Sequence, residues 1–359
     1  MTEKLPVLVT AAGSGVGYEV VKTLKLTGKY YIIGTDIVDY NYGIYQIDEA
    51  YLIPPVHDPE YLSILLDICI SKGVRAIIAG SEAELALIAT QEHIFEDNNV
   101  VVLANTADVI AICSDKFRTM SFLAKNDFPV PETTIISDID SLPQNIVFPV
   151  ILKPVKGSSG SRNTFIAQTF DEVHHLCAYL LALGVPVLMQ EYIGHPTSEY
   201  TVGVLHSLTG ELLGSFALHR EIRSGINSMI NVPNRTNRHE LGDRLVISSG
   251  FSQGIADEFP EIRKKCEQIA TLLGSRGPLN IQCRYMNGEL YPFEINPRFS
   301  GTSYMRALCG FNEVDMLIEN HLNDRDFTKQ PVYKHGRLVR GLDEQLITSG
   351  QRVAKWTEV

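Results

Sequence analysis

The sequence predicts a parallel α/β domain followed by an α+β region, and three observations carry that prediction. Short β-branched runs alternate with amphipathic stretches from residue 5 to about 114, the pattern breaks at Phe128-Pro-Val-Pro, and the strands after 187 follow one another with only single helices between them. With 359 residues, 45% apolar and 20% charged, the chain can bury two to three cores at roughly 150 residues per domain. A collagenous, disordered or small disulfide-stapled protein is excluded.

In the first region, Leu5-Pro-Val-Leu-Val, Tyr30-Tyr-Ile-Ile-Gly, Ala76-Ile-Ile-Ala and Val100-Val-Val-Leu read as strands, with helices over Tyr18 to Leu26, Tyr61 to Ser71 and Glu82 to Ala89. Strands regularly separated by helices make βαβ units. After Ser114-Asp115 the texture changes: Lys116 to Asn126 reads as one helix, stopped by two prolines that cannot continue it. A small α+β module follows, with strands Phe148 to Lys153 and Asn163 to Ala167, a Gly/Ser loop from Gly157 to Ser161 between them, and a helix Asp171 to Leu183. From Val187 the strands Val187 to Tyr192, Glu199 to His206 and Glu211 to His219, a helix Pro260 to Leu273 and a hairpin from Leu279 to Asn296 read as antiparallel α+β. The expected divisions are 1–114, 115–187, 188–325 and a polar tail 326–359, which ends in a strand with Gly350 to Val359 frayed.

The 42 acidic against 31 basic side chains give a formal charge of −11, and no Lys/Arg run offers a grip on nucleic-acid phosphates. Six cysteines, at 69, 113, 177, 266, 283 and 309, form no CxxC pair and have no close His partner, which reads as reduced thiols rather than zinc ligands or a redox dithiol. The apolar run Leu5 to Thr10 is too short for a signal h-region, and no segment approaches the roughly 20 apolar residues that span a bilayer. A soluble cytoplasmic protein with no nucleic-acid or membrane partner is the expectation.

Thr10-Ala-Ala-Gly13-Ser-Gly15-Val-Gly17 follows a strand and opens a helix, and Asp36 ends the next strand. That is the layout of a dinucleotide fingerprint, but the spacing is G-x-G-x-G and not G-x-G-x-x-G. Two readings stand: a tight strand-to-helix turn that holds no cofactor, or an NAD(P) site using Gly13, Gly15, Gly17 and Asp36.

The segment from Asn280 to Arg298 carries the densest chemistry. Asn287-Gly288 marks its turn. A two-residue loop would set Gln282 opposite Phe293 and Arg284 opposite Tyr291, mixing polar and apolar groups on each face. A three-residue loop pairs Tyr285 with Glu289 and sorts the strands, with Ile281, Cys283, Tyr285, Tyr291, Phe293 and Ile295 on one face. Asn280, Gln282, Arg284, Glu294 and Asn296 then share the other, interrupted only by Leu290 and Pro292. So many hydrogen-bonding groups are costly in a dry core, so this face is expected to border a polar ligand. Gln282, Glu294 and Asn296 present oxygens, which suits a hard cation such as Mg²⁺ rather than zinc and leaves coordination places for water and phosphate. Arg298, just past the strand, would face the same phosphates as a fixed fork of donors.

Lys153 ends an apolar strand immediately before Gly157-Ser158-Ser159-Gly160-Ser161, a donor-rich loop that can fold over phosphates or be an ordinary surface loop. It lacks the G-K-[ST] ending of a Walker loop. The stretch Gln190-Glu191-Tyr192-Ile193 reads as a strand that becomes a linker, able to present an N–H and a C=O to an adenine edge. Glu199 is either a solvated strand charge or an acceptor for ribose hydroxyls.

A Lys before a proline-bounded helix end, Lys153 before a Gly/Ser loop, the adenine linker and then Q…E-x-N-x-R on a hairpin together resemble the ATP-grasp superfamily over residues 1 to 320, especially the branch similar to one half of the carbamoyl phosphate synthetase large subunit. The resemblance implies a Rossmann-like pre-ATP-grasp domain followed by a two-subdomain ATP-grasp fold. It implies that Lys116 and Lys153 contact ATP phosphates, that Gly157 to Ser161 form the lid, and that Glu191 and Ile193 hold adenine with Glu199 on the ribose. It further implies that Gln282, Glu294 and Asn296 bind one or two Mg²⁺ (or Mn²⁺) ions and that Arg298 stabilises the transferring phosphoryl group. The activity so implied is ATP-dependent joining of a small-molecule carboxylate to an amine through an acyl phosphate, and since related folds are often dimeric, a homodimer is the assembly the resemblance suggests. Only one ATP-grasp unit is present, with no amidotransferase, so carbamoyl phosphate or carboxyphosphate chemistry is the alternative within the family. Acceptor-side determinants are expected among His219, Arg220, Glu221, Arg223, Arg235 and Arg238, with Arg220 and Arg223 foremost.

Overall fold

The computed structural model describes residues 4–13, 15–156, 161–222, 225–327, 332–347 and 353–358. Strands Glu49–Leu52, Tyr30–Asp36, Leu5–Val9, Ala76–Ile78 and Val101–Val102 lie side by side in that order, all parallel. Along Leu5–Val9 both faces are buried: Val7 and Val9 look to one core, and Leu8 to the other. This is why the strand reads as a continuous apolar run. Helices Tyr61–Ser71 and Glu82–Thr90 cover one face. The opposite face is covered by Gly15–Lys25 together with Ser303–Leu308 and Glu313–Asn323, two helices from far along the chain that the sequence did not reveal. That second core continues into Leu205, Phe216 and Leu218, so the parallel sheet and the large antiparallel sheet share one apolar interior.

The small sheet runs Thr133–Ile136, Val187–Glu191, Val150–Pro154, Phe165–Ala167, with helix Phe170–Ala182 packed on it. The strand Val187–Glu191, expected with the antiparallel region after 187, is therefore a central strand of this sheet, and a division drawn at 187 cuts through it. The large antiparallel sheet runs Glu289–Asn296, Gly277–Met286, Glu199–His206, Leu212–Arg220, Gly254–Ala256, Gly336–Leu338, backed by helix Pro260–Leu272. A separate two-stranded ribbon, Ser228–Pro233 with Arg244–Ser248, packs Leu241 and Leu245 against Tyr192 and Ile151. Its polar connection, rich in Asn and Arg, hid it from the sequence pattern.

The tail also differs from expectation. Ala354–Lys355 pairs in parallel with Tyr51–Leu52 and becomes the sixth strand of the N-terminal sheet. Trp356 meets the Tyr51 ring edge-on at 4.8 Å, and its indole N–H donates to Asp67 at 2.8 Å. Val353 is buried. Two apolar side chains in an otherwise polar stretch are enough to dock it, so 353–358 are not frayed; residues 348–352 and 359 lie outside the described residues. All six cysteines are buried free thiols. Among the described residues, no helix is long and apolar enough to cross a membrane.

Trp356 is the chain's single tryptophan, so its fluorescence reports on this docking. A Val353→Asp variant would place an unpaired carboxylate in the buried contact, at a cost of about 1–3 kcal/mol. We expect its tryptophan emission to move to longer wavelength under native conditions; an unchanged spectrum would mean that the tail does not dock there.

Candidate active site

The hairpin from Gly277 to Asn296 turns on two residues, Asn287 at φ 52° and Gly288 at φ 80°, and not on the expected three. Both are left-handed, the conformation a type I′ turn requires and Asn-Gly supplies. From the turn, Met286 pairs with Glu289, Tyr285 with Leu290, Arg284 with Tyr291 and Cys283 with Pro292; the register then shifts, so that Gln282 pairs with Glu294 and Asn280 with Asn296. Phe293 is the extra residue of a β-bulge. The bulge does what a longer turn was expected to do. It keeps Gln282 and Glu294 opposite each other, with the Gln282 amide N–H donating to Glu294 at 2.9 Å. It also turns Leu290, fully buried, into the core under helix Pro260–Leu272, so it no longer interrupts the polar face. Tyr291 and Phe293, expected on the opposite face, join the cavity wall instead.

That wall belongs to a cleft of about 750 Å³ between the small sheet and the large one. Lys116, Lys153, Ser161, Gln190, Glu191, Tyr192, Ile193, Glu199, Gln282 and Glu294, ten of the residues singled out in the sequence, line it. Asp115 caps the helix that starts at Lys116, accepting from the N–H groups of Phe117 and Arg118, and this fixes where Lys116 enters. Lys153 is buried at the end of its strand, its ammonium donating to the Gln190 side-chain oxygen at 2.9 Å. Burial pushes the Lys153 ammonium down to about 8, with the Glu294 charge opposing that shift and Lys116 adding to it.

At the linker, the Glu191 N–H donates to the Glu132 carbonyl and the Tyr192 N–H to the Pro149 carbonyl, while Arg284 donates to the Ile193 carbonyl at 2.7 Å. The Glu191 carbonyl and the Ile193 N–H lie beside a wall of Pro131, Ile151 and Val246. Glu199 is 2% exposed and not solvated: Arg220 donates to one of its oxygens at 3.0 Å and Arg284 to the other at 3.4 Å. Arg220, expected on the acceptor side, is instead buried behind Glu199, with further bonds to the Ser248 hydroxyl and the Ser249 carbonyl. Its guanidinium holds the acid and is itself fully enclosed. Arg223 lies outside the described residues, as do Gly157, Ser158, Ser159 and Gly160. Arg235 and Arg238 pair with Glu172 and Glu191 at the ribbon, and His219 donates to or accepts from nothing in the cleft, its ring stacking on Tyr200.

A second, smaller cavity of about 420 Å³ meets the first at Lys116, Phe293 and Glu294. Asn296 lines this one and not the main cleft. Arg298 sits behind two of its lining residues, donating to Asn296 at 3.2 Å and to Glu82 of the N-terminal region at 2.9 Å, and also to the Phe299 carbonyl at 3.1 Å. Glu82 was not singled out in the sequence, where it reads only as the first residue of an amphipathic helix. Gln282, Glu294 and Asn296 offer oxygen donors, and no trio of His, Cys, Asp or Glu that could hold a metal is found among the described residues. One carboxylate and two amides fit a hard cation that takes its remaining ligands from a bound phosphate and water.

The N-terminal turn has a different fate. Asp36 accepts from the Gly13 N–H at 3.0 Å and from the Asn41 side chain at 3.2 Å, and the Gly43 N–H donates to the Gly13 carbonyl at 2.8 Å. A Cβ on Gly13 would lie 2.5 Å from Asn41 and 2.6 Å from the Asp36 carboxylate. The acid that would hold a ribose and the N–H that would face a phosphate bond to each other, which favours the cofactor-free reading of this turn.

Comparison with known proteins agrees with this geometry. Residues 7–103 match the PylC-like N-terminal domain, 113–225 the RimK-like ATP-grasp domain, and 248–344 the ATP-grasp domain found in the biosynthetic pathway with Ter operon. A carbamoyl-phosphate synthase of Methanobrevibacter smithii is 23% identical over 286 residues, 76% of this chain and 69% of that protein. A carbamoyl phosphate synthase large chain of Clostridium botulinum is 26% identical over 69% of this chain but only 22% of its own length, so this chain spans roughly a fifth of such large chains. Among solved structures, the L-amino acid ligase of Bacillus licheniformis superposes with a TM-score of 0.61 at 16% identity, covering 90% of this chain and 75% of that one. An ADP complex of N5-carboxyaminoimidazole ribonucleotide synthetase gives 0.63 at 16%, over 94% and 81%. D-alanine–D-alanine ligase of Bacillus anthracis bound to ATP gives 0.57 at 14%, over 90% and 98%. The fold is ATP-grasp.

Because Arg220 balances a buried carboxylate, Arg220→Met should cost about 3–5 kcal/mol by leaving Glu199 unpaired, whereas removal of an exposed partner such as Arg235 should change stability little. Chemical denaturation of the two variants checks this; equal midpoints would mean that Glu199 is not held by Arg220.

Proposed function

We propose that this ATP-grasp, carbamoyl-phosphate-synthetase-like chain is an ADP-forming ligase that phosphorylates a small carboxylate and joins the resulting acyl phosphate to an amine. The observation that carries the reading is the meeting of two cavities at Lys116 and Glu294: a long cleft with an adenine-edge linker at one end and two buried lysines at the other, opening into a compact second chamber. Adenine would lie between Pro131, Ile151 and Val246, its edge read by the Glu191 carbonyl and the Ile193 N–H. Glu199, its orientation fixed by Arg220 and Arg284, would accept from the ribose hydroxyls. The triphosphate would then run towards Lys153 and Lys116.

Phosphoryl transfer to a carboxylate brings anions together, so the protein's task is positioning and charge neutralisation. Gln282, Glu294 and Asn296 would hold Mg²⁺, which offsets phosphate charge when bound. Arg298, steered by Asn296 and Glu82, would place its guanidinium where the phosphoryl group arrives. Lys153 is aimed by Gln190. The amine would displace phosphate from the acyl phosphate in a chamber that keeps water away from the intermediate. Six buried thiols without disulfides are in keeping with a cytoplasmic enzyme.

The reading is tested by ADP release from ATP and Mg²⁺ with pooled amino acids and small carboxylates. Glu294→Ala should abolish ADP release while the variant keeps its fold; wild-type turnover in it would sink the metal assignment. A second expectation concerns protons. With Lys153 at about 8, a fraction of it is neutral in mildly alkaline solution, and an incoming triphosphate favours its charged form. ATP binding at about pH 8.5 should therefore take up protons, the uptake should fade as pH falls and Lys153 is already charged, and Lys153→Met should abolish it. Calorimetry in two buffers of different ionisation enthalpy measures the uptake directly.

A further inference from the structure

We propose that Glu82, a residue of the N-terminal region, receives the ammonium group of the amine substrate and takes up its proton as the amine attacks; the proposal rests on the ligase reading above. In the parallel sheet, the strand order reverses at Leu5–Val9 and Ala76–Ile78, which are neighbours although the chain leaves them in opposite directions across the sheet. Ligands of open α/β sheets settle in the crevice beyond the carboxyl ends of such a pair. Glu82 stands in that place, four residues beyond Ile78.

Its position is fixed from three sides. Ser81 caps the helix by accepting from the Glu84 N–H, and Glu84 returns a carboxylate to the Ser81 hydroxyl at 2.7 Å and to the Tyr61 hydroxyl at 2.9 Å, a reciprocal cap. The Gly80 N–H donates to the Thr10 hydroxyl, tying the two loops of the crevice together. Arg298 then holds one Glu82 oxygen at 2.9 Å. The Arg298 side chain is only 13% exposed but that of Glu82 is 35%, so one face of the carboxylate is open. Glu82 lines the second cavity, whose walls also include Lys116, Thr119, Phe293, Glu294 and Asn296.

The charges in this chamber sort by partner. Lys116 in its wall and Arg298 behind Glu82 and Asn296 suit the acyl phosphate, and Glu294 is committed to the metal side. Glu82 is the anion left for a cation, and the cation among the reactants is the amine. A protonated amine has no lone pair to attack with. Glu82 takes one proton from the ammonium, the freed nitrogen forms a C–N bond to the acyl carbon, and the C–O bond to phosphorus breaks with its electrons on the departing phosphate. The second nitrogen proton leaves with that phosphate as hydrogen phosphate, and Glu82 returns the first to solvent.

The test uses the full chain, Glu82→Gln and Glu82→Asp, and two nucleophiles: the amine that supports ADP release in the pooled assay, and hydroxylamine, which is uncharged at neutral pH and traps the acyl phosphate without an anion to hold it. In Glu82→Gln we expect the amine KM to rise at least about tenfold and amide formation to fall roughly tenfold to hundredfold, with hydroxamate formation near the wild-type rate and Glu82→Asp intermediate. Unchanged ATP affinity by calorimetry shows that both variants fold. An unaltered amine KM and amide rate overturns the proposal. So does hydroxamate falling in step with amide, the result if Glu82 only braced Arg298. A wild-type chain that yields no hydroxamate with any carboxylate overturns the ligase reading and this one with it.

Discussion

The bulge at Phe293 is the constraint on which the site depends. A two-residue Asn-Gly turn sets one register, and that register alone would pair Gln282 with Phe293 and alternate polar with apolar groups along both faces. One inserted residue restores the parity of the pairs beyond it, so Gln282 and Glu294 face the same cleft. Before the bulge, the same strand pair sets Arg284 beside Tyr291, and Arg284 is directly opposite Glu199 on the next strand. Glu199 in turn anchors Arg220, whose other donors fix Ser248 and Ser249 at the end of the ribbon. From the turn and the bulge together follow the cleft-facing Gln282 and Glu294, the fixed Glu199 carboxylate and, through Arg220, the ties to the end of the ribbon. A β-bulge beside a site is a device for aiming side chains, and here it aims two sets at once.

Burying Glu199 between two arginines also explains why the cleft can be preformed. In the proposed nucleotide site an acid that accepts from a neutral sugar hydroxyl needs a fixed direction more than it needs solvent, and the two guanidiniums supply direction while cancelling its charge. Arg284 does this while spanning the Ile193 and Gly194 carbonyls and lying over the Tyr192 ring. The linker and the acid are thus oriented by the same side chain, so the geometry of the linker and that of Glu199 are coupled.

How much of this the sequence revealed follows from what is local. The alternation of strands and helices before residue 114, the polar face of the hairpin and the helix that starts at Lys116 are encoded by near neighbours in sequence, and they were legible. The bulge was not, because a three-residue turn and a two-residue turn with a bulge sort Gln282, Glu294 and Asn296 equally well, and only Leu290, Tyr291, Pro292 and Phe293 distinguish them. Arg220 looked like a loop charge free to meet substrate, since its partner Glu199 lies on the neighbouring strand and nothing in the pattern between them indicates burial. The tail looked loose because its docking uses only Val353, Trp356 and a two-residue strand. Glu82 was hidden for the opposite reason: it sits in a regular helix whose apolar pattern explains it fully, and only the fold brings Arg298 to it across more than two hundred residues.

Two loop regions of the N-terminal domain differ in how they are filled. Its Gly-rich turn has the form that elsewhere approaches a dinucleotide, yet Asp36, Asn41 and the Gly43 amide fill the space around Gly13. The crevice at the strand-order reversal is lined on its other side by residues from another part of the chain. Helices Ser303–Leu308 and Glu313–Asn323 pack directly on Gly15–Lys25, and the Arg306–Glu313 pair is buried in the interior they share. Two regions that share a core hold the crevice and the cleft side by side. An enzyme that must keep a reactive intermediate from water while a second substrate reaches it needs that arrangement.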